Sequence, residues 1–242
     1  MEILHMENVK KDYDGECVLS IDSLSINKGT ISGYLGKNGA GKSTTIKIMM
    51  GTLLPDQGFV YFQQEKIDYK NPHHKKFIGY CPDYPAVFEK LSVTEHLHFI
   101  SFLYGETNLQ EIESKINTYL EHFEVERYRH TLIKNLSRGN KQKISIISSV
   151  MHNPSLLIYD EPTLGLDPLS IKQFKSFLKD YTQSGGTVFL SSHSLNIIEE
   201  IADTVTIINN GSLLKKNISV SQLRGNLTSV EDYLISVVEG RE

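Results

Sequence analysis

Residues 36–43 read Gly-Lys-Asn-Gly-Ala-Gly-Lys-Ser and satisfy G-x-x-x-x-G-K-[ST] at every fixed position. A loop of this kind needs a strand before it and a helix after it. Glycines let the backbone curl so that several N–H donors converge on phosphate oxygens without Cβ clashes. The following helix aims its positive N-terminal end at the same oxygens. Residues 30–35 supply a short apolar strand, and Lys42–Met50 read as a helix. Lys42 adds a full charge for the β- and γ-phosphates, and Ser43 offers its hydroxyl to Mg²⁺. The loop therefore predicts a chain that binds and hydrolyses a nucleoside triphosphate, with ATP as the expected nucleotide.

The flanking pattern agrees. Residues 2–9 and 17–26 alternate as half-buried strands do, and Phe59–Phe62 and Phe77–Tyr80 read as further short strands. Leu156–Tyr159, Thr187–Leu190 and Val205–Ile208 are apolar runs separated by helical stripes such as Ile171, Phe174, Leu178 and Tyr181. Such alternation predicts an α/β fold with a parallel sheet and crossover helices. Between these halves the period changes. Ser92-Val93-Thr94-Glu95 matches a capping box, Leu97, Ile100 and Leu103 follow it, and Leu109, Ile112, Ile116, Leu120 and Phe123 form another amphipathic stripe. The spacing predicts a helical insertion over about residues 85–150 within one domain of 242 residues, with a nucleotide-binding core over 1–84 and 151–215. A last helical segment, 216–242, carries Val230, Leu234 and Val238 from residue 219 onward.

The formal charge of −4 argues against a nucleic-acid partner. Cys17 and Cys81 stand far apart without CxxC spacing, which disfavours a disulfide framework or zinc site and suits a reducing compartment. No run approaches the roughly 18 apolar residues of a membrane span, and no secretory signal opens the chain. A cytosolic chain is expected, held at a membrane only by a partner.

Leu156–Tyr159 ends in Asp160-Glu161. At the end of a buried strand beside a phosphate loop, Asp160 suits a water-mediated Mg²⁺ acid. Glu161 lies where the strand gives way to Pro162, free to turn inward and polarise a water. Alone, two solvated acids in a loop would read equally well; the phosphate loop decides between the readings. Ser137 in Leu136-Ser137-Arg138-Gly139-Asn140-Lys141-Gln142 suits the N-cap of an apolar helix; a helix start with a free hydroxyl can serve as a second anion site, but in isolation an ordinary cap is the favoured reading.

Tyr13, residues 36–43, Leu136–Gln142, Asp160-Glu161-Pro162-Thr163, Gly165-Leu166-Asp167-Pro168 and Ser191-Ser192-His193 follow one another in one order. That order resembles the ATP-binding subunit of ABC transporters over nearly the whole chain. The resemblance implies a phosphate-loop NTPase core with an N-terminal antiparallel β subdomain and an inserted helical subdomain. Tyr13 would stack on adenine, and Gly36, Asn38, Gly39, Gly41, Lys42, Ser43 and Thr44 would hold the phosphates. Ser43, Asp160 and Asp83 would attend Mg²⁺, with Glu161 the catalytic base and His193 a γ-phosphate switch. Ser137 and Gly139 would contact ATP held by a second copy or a paralogue, and Asp167 would bridge the two. The resemblance further implies an integral membrane permease as partner, a peripheral position on the inner membrane face, and export of a drug, peptide or lipid. Phe77, Tyr84, Val87, Phe88 and Leu91 lie near the surface that meets such a partner.

Two departures stand out. Asp83 follows Tyr80-Cys81-Pro82 where the family has glutamine, and Arg138 and Asn140 replace glycine and glutamine. Asp83 adds negative charge near the γ-phosphate, where like charges disfavour each other. A substrate kinase would leave Leu136–Gln142 and His193 unexplained. A soluble ABC ATPase acting on ribosomes or DNA usually carries two nucleotide domains or a long coiled coil. A nucleotide sensor is favoured by Asp83 and opposed by Glu161 and His193.

Overall fold

All five residues of the strand Leu156–Asp160 are buried, and its side chains part into two cores. Leu157 and Tyr159 join one, Leu156 and Ile158 the other. Full burial with a two-residue alternation means a strand covered on both faces, as parallel sheets are.

The computed structural model describes residues 1–225. Its elements are β1 (Glu2–Tyr13), β2 (Glu16–Asn27), β3 (Ile31–Leu35), α1 (Lys42–Met49), β4 (Gln57–Phe62), β5 (Glu65–Lys66) and β6 (Ile78–Cys81). There follow α2 (Val93–Leu103), α3 (Leu109–His122), α4 (Arg138–Ser148), β7 (Leu156–Asp160) and α5 (Pro168–Gln183). The described chain ends with β8 (Thr187–Ser192), α6 (Leu195–Ile201), β9 (Thr204–Asn209), β10 (Ser212–Ser219) and α7 (Val220–Gly225). Ten strands form one sheet in the order β5-β4-β1-β2-β10-β9-β3-β8-β7-β6. The run β9-β3-β8-β7-β6 is parallel, whereas β1, β2, β4 and β5 pair antiparallel. The expected α/β class is therefore present, with the antiparallel strands curled beside the parallel core. One core lies under α1 and the antiparallel strands (Ile46, Ile21, Met6); the other lies under the helices of the insertion (Leu97, Ile116, Ile147).

Local chemistry sets the helix starts. Ser92 and Glu95 close both bonds of the capping box. Asn108 caps α3, Ser137 caps α4 through Asn140 N, and Asp167 caps α5 ahead of Pro168. Two imidazoles are buried in the helical layer. His96 Nε2 lies 2.8 Å from Ser148 Oγ, whose own proton goes to the Ile144 carbonyl, so the histidine donates. His152 Nε2 donates to the Ile78 carbonyl at 3.1 Å, and its ring stacks on Tyr104. Burial pushes both pKa values down to about 4.

The structure differs from expectation in places. Phe77 closes a 3₁₀ turn, His73–Phe77, and the strand begins at Ile78. Residues 216–219 extend β10 rather than a helix, and α7 starts at Val220. Val230, Leu234 and Val238 lie outside the described residues. The helix expected between β8 and β9 is α6, whereas β10 was not expected. β9 and β10 join through Asn210-Gly211, both at positive φ (45° and 74°), the geometry of a two-residue hairpin. No helix among the described residues is long and apolar enough to cross a membrane.

Candidate nucleotide site

Four adjacent parallel strands, β3, β8, β7 and β6, end along one edge of the sheet. Residues just past those ends therefore converge, as ligand-bearing loops do in open α/β sheets. Beyond β3 comes the glycine loop, beyond β8 His193, beyond β7 Glu161 and beyond β6 Asp83. Together with Tyr13 and Val18 they line a cleft of about 720 Å³. Asn38, Gly39, Gly41, Lys42, Ser43, Thr44 and Asp160 line it too.

The loop's shape needs its glycines. Gly41 caps α1 at φ 107°, a conformation side chains resist, and a Cβ on Gly36 would stand 2.6 Å from the Ile208 carbonyl. The Asn210-Gly211 turn supports the loop from below. Gly211 N donates to the Ala40 carbonyl at 2.9 Å, and Ser20 N donates to the Gly211 carbonyl.

Two polar networks order the charged groups. Lys42 Nζ donates to the carbonyls of Gly36 (2.6 Å) and Lys37 (3.2 Å) and pairs with Glu161 Oε1 at 3.2 Å. The other oxygen of Glu161 lies 2.8 Å from His193 Nδ1. Glu161 adopts φ 48°, so the chain turns sharply at the strand end and swings this carboxylate into the cleft. Asp160 receives the Ser43 hydroxyl on Oδ2 at 2.8 Å and the Ser191 hydroxyl on Oδ1 at 2.5 Å. Ser191 Oγ also accepts from Glu161 N at 3.1 Å, so one buried hydroxyl orients both acids. Ser43 Oγ and the Asp160 carboxylate offer adjacent oxygen donors. They suit Mg²⁺, which keeps waters and phosphate oxygens and takes only one or two protein ligands.

Ser137, Gly139 and Asp167 do not line the cleft. They share a second patch, where a Cβ on Gly139 would meet the Gly165 carbonyl at 2.8 Å. Asp167 accepts from Ser170 Oγ and Ser170 N, which hold its carboxyl below the usual carboxylate range. A buried amide joins the two regions: Gln142 Nε2 donates to the Pro162 carbonyl at 3.2 Å and approaches Cys81 Sγ at 3.5 Å.

Residues 19–164 match the sequence model of the ABC transporter family. The chain belongs to that family. This ABC ATPase is 33% identical over 237 residues to the bacitracin transport ATP-binding protein of Enterococcus faecalis, covering 97% of this chain and 75% of the relative. It is 30% identical to the lipopolysaccharide export system ATP-binding protein of Haemophilus influenzae, covering 88% of this chain and 90% of the relative. A solved ATP-binding subunit of an ABC transporter superposes with a TM-score of 0.89 at 28% identity, covering 98% of this chain and 99% of its own.

Ser191 and Gln142 were named in the sequence only as members of their motif segments, without these contacts, and the Asn210-Gly211 turn was not named at all. Only the last had a local signal, the Asn-Gly pair between apolar runs. Of the apolar residues expected at a partner surface, Phe77, Tyr84 and Phe88 are exposed, whereas Val87 packs partly on the core.

Proposed function

We propose that this ATPase drives export of a drug, peptide or lipid through a separate membrane permease, working at the inner membrane face as an ATP-sandwiched dimer. One observation carries the reading: the polar residues of the family motifs fall on two patches of one chain. The cleft holds the phosphate loop, Glu161 and His193; Ser137, Gly139 and Asp167 face elsewhere, available to a second copy or a paralogue. The names of the relatives from Enterococcus faecalis and Haemophilus influenzae support transport and export respectively.

In this mechanism the amides of residues 36–44 and the Lys42 ammonium bind the phosphates, and Tyr13 stacks on the base. Ser43 and Asp160 would hold Mg²⁺, which neutralises charge developing on the phosphate oxygens. Glu161 accepts a proton from water as that water's oxygen attacks the γ-phosphorus and ADP departs, leaving inorganic phosphate. His193 keeps the Glu161 carboxylate turned into the cleft. Asp83 stands on the same rim, where it would meet Mg²⁺ through water.

Glu161→Gln tests the scheme. The amide cannot take the proton, so turnover should fall by roughly three orders of magnitude. ATP should then hold two chains together, seen as a doubled mass in size-exclusion chromatography with light scattering. A variant that hydrolyses ATP normally removes Glu161 as base. A variant that stays monomeric at saturating ATP removes the sandwich.

A further inference from the structure

The cleft is unbalanced in charge. Lys37 and Lys42 line it against Asp83, Asp160 and Glu161, so carboxylates outnumber ammonium groups before any triphosphate enters. Two of the three acids are compensated within the chain. Asp160 takes two hydroxyl donors, and Glu161 is paired with Lys42 and His193. Asp83 is exposed and makes no hydrogen bond or ion pair with any described residue.

Arg138 presents the opposite case. It is exposed and makes no ion pair with any described residue. It stands at the first position of α4, whose first turn holds no acid. A cation there meets the positive end of the helix and is disfavoured unless an anion comes to it. Of the other cations on this helix, Lys141 already has Glu89 at 2.5 Å and Lys143 donates to the Phe123 carbonyl at 2.8 Å. The stem of Arg138 runs within contact distance of Gly165, about 3.5 Å from where a Cβ would stand. That contact keeps the guanidinium on the patch bearing Ser137, Gly139 and Asp167.

We propose that Arg138 of a second copy pairs with Asp83 when two copies close on ATP. The inference rests on the dimer reading above and adds a residue pair to it. A two-fold axis makes each contact occur twice, so one substitution removes both. The pair would join the rim of one cleft to the motif patch of the other chain. Complementary charges of this kind fix register and favour the right partner more than they add affinity.

The test uses the full chain carrying Glu161→Gln at saturating ATP, with the dimer dissociation constant measured by sedimentation velocity. Asp83→Arg and Arg138→Asp should each weaken the dimer by roughly tenfold, through lost pairs and new like-charge contacts. Combining them should recover affinity to within about threefold of the parent, because the reversed pair re-forms. Misfolding cannot produce that recovery. The neutral variants Asp83→Asn and Arg138→Gln give a second cycle, expected to be non-additive. Additive losses in both cycles would overturn the pair, as when Arg138 addresses the phosphates itself. A parent that stays monomeric with ATP overturns the dimer reading, and the pair with it.

Discussion

Ser191→Ala removes a hydroxyl whose position makes its effect calculable. The side chain is fully buried, donates to Asp160 at 2.5 Å and accepts from Glu161 N at 3.1 Å. A hydrogen bond to a charged group contributes about 1.5–3 kcal/mol, and stranding a buried partner brings that cost forward in full. The Glu161 amide keeps a longer contact with the Ser191 carbonyl at 3.3 Å, so its loss is partial. Alanine fills nearly the same space, so no cavity offsets or enlarges the effect. The net expectation is a loss of about 2–3 kcal/mol, or roughly 5–8 °C in melting temperature for a chain of this length. Differential scanning calorimetry without nucleotide measures it. Ser43→Ala is the comparison: Ser43 also donates to Asp160, at 2.8 Å, but its side chain faces solvent, so water replaces it and the expected shift is under about 2 °C. Equal melting temperatures for Ser191→Ala and the parent would refute the idea that this hydroxyl anchors the acid pair.

The buried imidazoles predict acid sensitivity. His96 and His152 titrate near 4 when folded against 6.5 when unfolded, so the unfolded chain binds more protons between those values. Their contribution is complete above about pH 6.5 and is lost as pH falls towards 4, with each costing about 2 kcal/mol by pH 5. Urea midpoints should drop from pH 7 to pH 5, and His96→Gln should flatten that slope; an unchanged slope refutes the assignment. Thiol chemistry should separate the two cysteines. Cys17 is exposed, whereas Cys81 is buried with its thiol pushed up to about 12, so a chromogenic disulfide reagent should count one thiol in native protein and two in denaturant. Two fast-reacting native thiols would contradict the packing around Cys81.

The phosphate loop, the acid pair and His193 were legible because each sits where a periodic apolar run stops, and the strand ends carry them to one edge. The capping box at Ser92 was legible because its two bonds are local. Ser191 was not. It sits inside a uniformly buried strand, and a serine there gives no sign that its hydroxyl bridges two acids some thirty residues earlier. β10 was missed because Ser212–Ser219 is only half buried and its polar residues Lys215, Lys216 and Asn217 run together instead of alternating, a weak pattern beside the apolar run of β9. The left-handed turn at Glu161 could be allowed by the following proline but not required, since a non-glycine residue adopts it only when its surroundings hold it there.

The buried amide of Gln142 has a mechanical consequence. It acts as a rivet through three segments: the helix α4, the loop past β7 and the end of β6. One of the riveted carbonyls belongs to Pro162, next to Glu161, and the riveted sulfur lies two residues ahead of Asp83. A tilt of α4 would thus shift the backbone that carries Glu161 and Asp83 in the cleft. The linkage runs equally in reverse, so whatever grips the phosphates also leans on α4.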